Sequence, residues 1–304
     1  MLPEHTRKIT AGGCEDLYCV DVNMFDVEEF GAVYVLDADR PTIIESGTGR
    51  NYERVLEALD ALDIDRADVE VIALTHVHLD HAGGAGYFAE ACPNATVKIH
   101  DIGTSHLADP ERLVEGTKRA VQEQWQYYDD PVPIPDDRID AIGDGDVIDL
   151  GDHRLVVHAA PGHAPHQVVF EHPENDAVFV ADAAGLWAPD PGVLAPTSPP
   201  PNFQFEQCLD DVDTLESLSP STILYTHFGA RTDVADALTE YREVLTAWVE
   251  DVREARAELE DDDAVIEHFV ERTSLDDVWG DHKAYPEVRM NTRGVLRYLD
   301  SQAD

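Results

Sequence analysis

The sequence predicts a layered α/β protein, and three observations carry that prediction. Short apolar strands recur in two β-rich stretches, segments with apolar residues at helical spacing separate and follow them, and no short internal repeat interrupts the pattern. At 304 residues the chain can bury a large core, as one big domain or two smaller ones. A hydrophobic content of 43% with 8% aromatics places it among globular proteins.

The first stretch opens with strands expected over LYCVDV (17–22), AVYVLDA (32–38) and TIIES (42–46), the last running into the turn signals Gly47 and Gly49. NYERVLEALDAL (51–62) has helical spacing, VEVIALT (69–75) reads as a buried strand, GGAGYFAEAC as helix, and TVKIH (96–100) as strand. Residues 103 to about 129 read as one helical segment, followed by the proline-rich link DDPVPIPDD. The second β-rich stretch comprises DVIDLG, HRLVVHAA, QVVFEH and DAVFVAD. A long proline-rich loop (186–202), a helix near 204–218 and a strand STILYTH (221–227) come next, and from about 232 the pattern is helical to the end.

Composition bounds the setting. Sixty-three acids oppose 21 bases, a formal net charge of -42 spread over every segment, and only four of the bases are lysine. Strong acidity with intact apolar periodicity is not the signature of disorder. It resembles proteins of salt-in halophilic archaea, because at about 1 M ionic strength the screening length is roughly 3 Å and self-repulsion is tolerable. No run of about 18 apolar residues suggests a membrane span. The first residues show no secretory signal and the four cysteines make no CxxC pair, so a cytoplasmic chain with reduced thiols is expected. The acidity argues against a nucleic-acid partner, and a small-molecule substrate is expected. A homodimer is compatible with all of this.

LTHVHLDHAGG (74–84) concentrates three histidines and an aspartate within six positions. Residues i and i+2 of an extended segment share a side, so His76, His78 and Asp80 are expected to face one cavity, with a turn at Asp80–His81 bringing in the fourth donor. Neutral imidazoles and a carboxylate suit zinc, iron or manganese. Further donors sit at strand ends downstream: His163 in APGHAPHQ, Asp182 after AVFV and His227 after TILYT. That is the usual place for chemistry in α/β architecture.

In these ordered motifs the chain resembles the metallo-β-lactamase fold superfamily over nearly its whole length. The resemblance implies a four-layer αββα sandwich over 1–235, with a helical insertion at 103–140 near the cleft. A helical C-terminal extension, 236–304, would pack on the same domain. It also implies two divalent metals, zinc first and iron or manganese as options. One metal would be bound by His76, His78 and His163, the other by Asp80, His81 and His227, with Asp182 bridging. One departure is Glu45, where relatives often carry Asp supporting the site.

The implied activity is a dinuclear hydrolase in which a bridging hydroxide attacks an ester, thioester (of the hydroxyacylglutathione type) or lactone carbonyl. Asp80 would then orient the nucleophile and protonate the leaving group. The GHAPHQ form of the third motif resembles a glyoxalase II-like or archaeal hydrolase branch. Phosphodiester or RNA cleavage, persulfide dioxygenation on one iron, and a non-catalytic binding subunit are the alternatives. His166, Trp187, Tyr127 and Tyr128, with Trp125 beside them, are candidates for substrate contact.

Overall fold

The computed structural model describes residues 1–303. Fifteen strands are described, and thirteen of them form two sheets, each assembled from one continuous part of the chain. The first sheet holds β1 (Thr6–Ile9), β2 (Leu17–Asp21), β3 (Ala32–Leu36), β4 (Thr42–Ile44), β5 (Val71–Ala73), β6 (Thr96–His100) and β7 (Ile139–Ile142), in that spatial order. β1 to β4 pair antiparallel; β4 to β7 pair parallel, with α1 (Glu53–Ala61), the short α2 (Leu79–Ala82) and α3 (Ala85–Ala91) among their connections. The second sheet contains β8 (Val147–Asp149), β9 (Arg154–Ala159), β10 (Val168–His172) and β11 (Ala177–Phe179). β12 (Leu186–Ala188) and β13 (Val193–Ala195) form a separate hairpin, and β14 (Thr222–Tyr225) and β15 (Gly229–Arg231) complete the second sheet beside β11.

Strand periodicity explains the layering. All five residues of β3 are buried, but they divide between two cores. Val33 and Val35 pack with Val55, Leu59 and Phe88 on the helix side; Ala32, Tyr34 and Leu36 pack with Leu155, Val157 and Phe170 between the sheets. In β14 the same alternation puts Leu224 between the sheets and Ile223 and Tyr225 under the outer helices. Those helices are α6 (Phe205–Leu218), α7 (Val234–Glu258), α8 (Asp262–Val270) and α10 (Asp281–Ala303). The short α9 (Asp276–Trp279) precedes α10. A sheet buried on both faces reads as a continuous apolar run, which is why these strands are so hydrophobic. The result is an αββα sandwich with helices α7 to α10 at the C-terminal end.

Several expectations change in detail. The helix expected over 103–129 is broken into α4 (Thr104–Ala108), α5 (Glu111–Val121) and a 3₁₀ segment, Gln122–Tyr127. Asp109 precedes Pro110 and adopts φ -135°, ψ 92°, as pre-proline sterics favour, and Gln122 stops α5 at φ 50°. The proline-rich loop at 186–202 contains the β12–β13 hairpin. Strands β1 and β7 carry no strong apolar signal because each exposes its two central residues.

Candidate metal centre

The donors sit on loops at one edge of the sandwich, and backbone contacts between the sheets hold that edge together. The Val168 N–H donates to the Thr75 carbonyl at 2.9 Å, and the Ala32 N–H donates to the Thr226 carbonyl at 2.8 Å. β5 delivers Thr75, His76 and His78; then the chain turns helical at Leu79, so Asp80 and His81 project from the first turn of α2. The extended alternation expected through Asp80 therefore ends at His78. Ser46 pins this turn, its N–H (2.8 Å) and its hydroxyl (2.6 Å) both donating to the His81 carbonyl. Gly84 lies so close to the Ser46 carbonyl that any side chain there would collide with it. His163 is set by Gly162, whose N–H donates to Asp211 Oδ2 at 2.7 Å and where any Cβ would collide with the Cys208 backbone. Asp182 lies three residues beyond β11, and His227 two beyond β14.

All seven expected donors converge. Nδ1 of His78 lies 3.0 Å from Nε2 of both His76 and His163. Asp182 Oδ2 is 3.4 Å from each of those two Nε2 atoms. Four donors at bond lengths of about 2.0–2.1 Å around a tetrahedral cation stand about 3.3–3.4 Å apart, close to this spacing. Asp182 Oδ2 is also 3.0 Å from His81 Nε2, and His227 Nε2 lies 3.9 Å from both Asp182 Oδ1 and Asp80 Oδ2. Two donor groups with Asp182 between them result, one of His76, His78 and His163, the other of Asp80, His81 and His227.

Hydrogen-bonding logic supports cation binding. His81 is buried with Nε2 3.0 Å from Asp182 Oδ2 and Nδ1 3.3 Å from Glu45 Oε2, so two carboxylates face a ring whose Nε2 a cation could take. The outer nitrogens of His76, His163 and His227 are held. Nδ1 of His227 donates to the Phe30 carbonyl at 2.9 Å, which leaves Nε2 a lone pair facing the site. Thr75 Oγ1 lies 3.1 Å from His76 Nδ1, and Thr197 Oγ1 lies 3.0 Å from His163 Nδ1. Glu45, buried and at φ 69°, puts Oε2 3.3 Å from His81 Nδ1, so the longer side chain still reaches the ring. Such outer contacts fix which nitrogen points inward.

Electrostatics keeps the donors in ligand form. Burial, then neighbouring imidazoles, holds His76 well below its ordinary value, and burial likewise lowers His78, His227 and His163, the last to about 3. Burial alone would raise Asp80 and Asp182, but the surrounding histidines pull both below the usual carboxylate range. His81 is opposite in sign. Burial opposes its charge, yet Asp182 and Glu45 raise it well above the usual value, so a cation entering at Nε2 must displace a proton.

Beside the donors lies a cavity of about 360 Å³. His78, Asp80, His163, Asp182 and His227 form its floor; α5, the 199–202 loop and α10 wall it. Of the substrate-contact candidates, His166 and Tyr128 line it. His166 is buried, its Nδ1 has no partner, and burial lowers it to about 2, so it is neutral. Tyr127 and Trp187 are not among the residues that line it. Tyr127 packs against Phe25 and His282, and Trp187 lies under the Arg231 guanidinium at 4.3 Å. Trp125 stacks behind Tyr128 at 5.3 Å. Sequence reasoning missed Thr197, the Phe30 carbonyl, the Lys283–Glu287 pair and the two arginines of α5 in the wall. Only the arginines had a visible signal, being bases on one helical face in an acidic chain.

Fold and site together define an αββα metal-binding protein with donors on strand-end loops. The chain belongs to the Metallo-beta-lactamase superfamily, whose model matches residues 27–227. It is 23% identical over 220 residues to the metallo-beta-lactamase fold-containing protein ST1585 of Sulfurisphaera tokodaii, covering 71% of this chain and 79% of that one. The crystal structure of the archaeal ST1585 superposes with a TM-score of 0.71 at 19% identity, over 93% of this chain and 99% of that one, a likeness of fold. Over 124 residues the chain is 32% identical to the N-acyl homoserine lactonase AttM of Azorhizobium caulinodans, 39% of this chain and 41% of the lactonase. Over 160 residues it is 27% identical to the acyl-coenzyme A thioesterase MBLAC2 of Gallus gallus, 49% and 55% of the two chains.

Proposed function

We propose that the chain is a hydrolase of ester, thioester or lactone carbonyls that works with two divalent cations, zinc by preference, in a salt-rich cytoplasm. The carrying observation is the double donor set around Asp182 at the floor of an open cavity. Similarity to a lactonase and to a thioesterase supports carbonyl chemistry. His76, His78 and His163 would hold one cation, Asp80, His81 and His227 the other, and Asp182 both. Bound there, such a pair supplies Lewis acidity and lowers the pKa of water toward neutrality.

The chain's own groups do the rest. Asp80 is ionised and faces the cavity, so its free carboxylate oxygen can take a proton from the attacking water and hand it to the leaving oxygen or sulfur. Tyr128 and Leu186 offer apolar surface to the acyl portion, and Pro199 to Pro201 shield the opposite wall from water. Neutral His166 can present its unpartnered Nδ1 to a substrate oxygen.

The test joins a metal assay to a panel of thioester, lactone, phosphodiester and persulfide. About two zinc per chain with thioester or lactone turnover, abolished in a folded His78→Ala variant, is the expected result. Phosphodiester turnover, oxygen consumption on persulfide with one iron, or no turnover of any panel member would each replace this reading with a different one.

A further inference from the structure

The cavity wall carries charge that metal binding and hydrolysis leave unexplained. Arg112 and Arg119 both lie on α5 and both line the cavity. Seven residues, or two turns, separate them, so they share one helical face about 10 Å apart. The acids of the same helix, Glu111 and Glu115, do not line the cavity. Neither arginine has an ion-pair partner among the described residues, although acids outnumber bases by 63 to 21. Elsewhere the scarce bases are mostly engaged, as with Arg231 to Asp233 and Glu240, or Arg242 to Asp213 and Glu216.

The other charges in the cavity are already accounted for. Lys283 pairs with Glu287, and Asp80 and Asp182 belong to the donor set. The rim is thus left with two uncompensated cations on a molecule of formal charge -42. At the molar salt such a charge implies, fields are screened within about 3 Å, so an anionic substrate is held only by a contact attraction beside the reaction centre. A neutral ester or lactone needs none. Guanidinium groups suit carboxylate and phosphate because their planar donors match both.

We propose that Arg112 and Arg119 form an anion subsite, and that the substrate is an ester or thioester bearing two separated carboxylate or phosphate groups away from the scissile carbonyl. This rests on the hydrolase reading and narrows it. The apolar wall formed by Leu113, Val121 and Met290 would take the uncharged part between the anions and the scissile bond.

The test uses the full chain loaded with zinc and one acyl group on three thiols: neutral N-acetylcysteamine, glutathione for carboxylates and coenzyme A for phosphates. At least one anionic thioester should exceed the neutral one about tenfold or more in kcat/KM. The Arg112→Gln/Arg119→Gln double variant, assayed at the same salt concentration, should bring that ratio to about one through KM. Arg253→Gln, an exposed site on α7 outside the cavity, should keep the ratio. Which anionic arm wins tells carboxylate from phosphate. Equal rates on all three thioesters, or a ratio unmoved by the double variant, would overturn the proposal. Calorimetric binding of S-methylglutathione and S-methyl-coenzyme A, whose capped sulfur is no thiolate ligand for zinc, reads the subsite without turnover. Binding lost in the double variant supports it even if no thioester is cleaved, whereas absent or unchanged binding overturns it even if hydrolysis is confirmed.

Discussion

Asp182 and His81 meet at 3.0 Å, carboxylate Oδ2 to ring Nε2, and the opposite nitrogen of the same ring lies 3.3 Å from Glu45. His81 is therefore gripped between two buried carboxylates, one reaching on toward His76 and His163, the other reaching nothing else.

Removing the inner carboxylate should deplete the centre. Asp182→Ala takes away the oxygen nearest to His76, His81 and His163, so metal content should fall from about two to one or fewer per chain and activity by about 100-fold or more. Metal analysis of the dialysed variant checks this. Unchanged stoichiometry would show that Asp182 does not join the two donor groups.

Removing the outer carboxylate should weaken the centre without emptying it. Glu45→Gln keeps the size of the side chain but takes the negative charge from His81 Nδ1. Zinc affinity should fall about 10- to 100-fold, with the fold retained. Competition titration against a chromophoric chelator measures it, and an affinity equal to that of the unsubstituted protein would assign Glu45 no role.

Asp211 gives a pH signature of its own. Burial raises its carboxyl to about 7, against about 3.9 in an unfolded chain. Between those values the folded state keeps a proton that the unfolded state has lost. This group's contribution is thus greatest below about pH 4, declines as pH rises toward 7, and levels above. Denaturant melts at constant salt should find the protein and Asp211→Asn closest near pH 4, with the variant gaining on the unsubstituted protein as pH rises toward 7. A difference independent of pH would contradict the raised value.

Salt should stabilise the molecule into the molar range. At 0.01 M the screening length is about 30 Å and most like-charge pairs repel; at 1 M it is about 3 Å and only neighbours count. Dialysis from concentrated KCl into dilute buffer, with zinc supplied and chelator excluded, should cost secondary structure. A melting temperature that is flat or falls toward molar KCl would mean that the acidity serves some other purpose.

The element types and the donor set were legible because both are written in near neighbours. β3 reads as a strand from five apolar residues, and the histidine cluster reads as ligands from chemistry and spacing within six positions. β1 and β7 were not legible, since edge strands with two exposed central residues lose the apolar run. The Phe30 carbonyl that orients His227 has no sequence signature at all, every residue having a carbonyl. Thr197 is one hydroxyl in a proline-rich segment, indistinguishable in sequence from Thr104 or Thr239. Tyr127 and Tyr128 could not be told apart until the backbone after Gln122 showed which ring faces the cavity.

By itself the sequence determined which side chains could act and the period of each element, because rotamer chemistry and hydrophobic alternation depend on residues a few positions apart. The tertiary structure alone decided that His78 and His163, 85 positions apart, would stand 3.0 Å from each other, and that Arg112 and Arg119 would look onto the same space. Those distances follow from two sheets packing through Tyr34, Leu36, Val157 and Phe170, an apolar contact that fixes the sandwich edge where the loops meet. The hydrophobic effect that closes that core is non-directional, so only the packed shape sets where the directional chemistry converges.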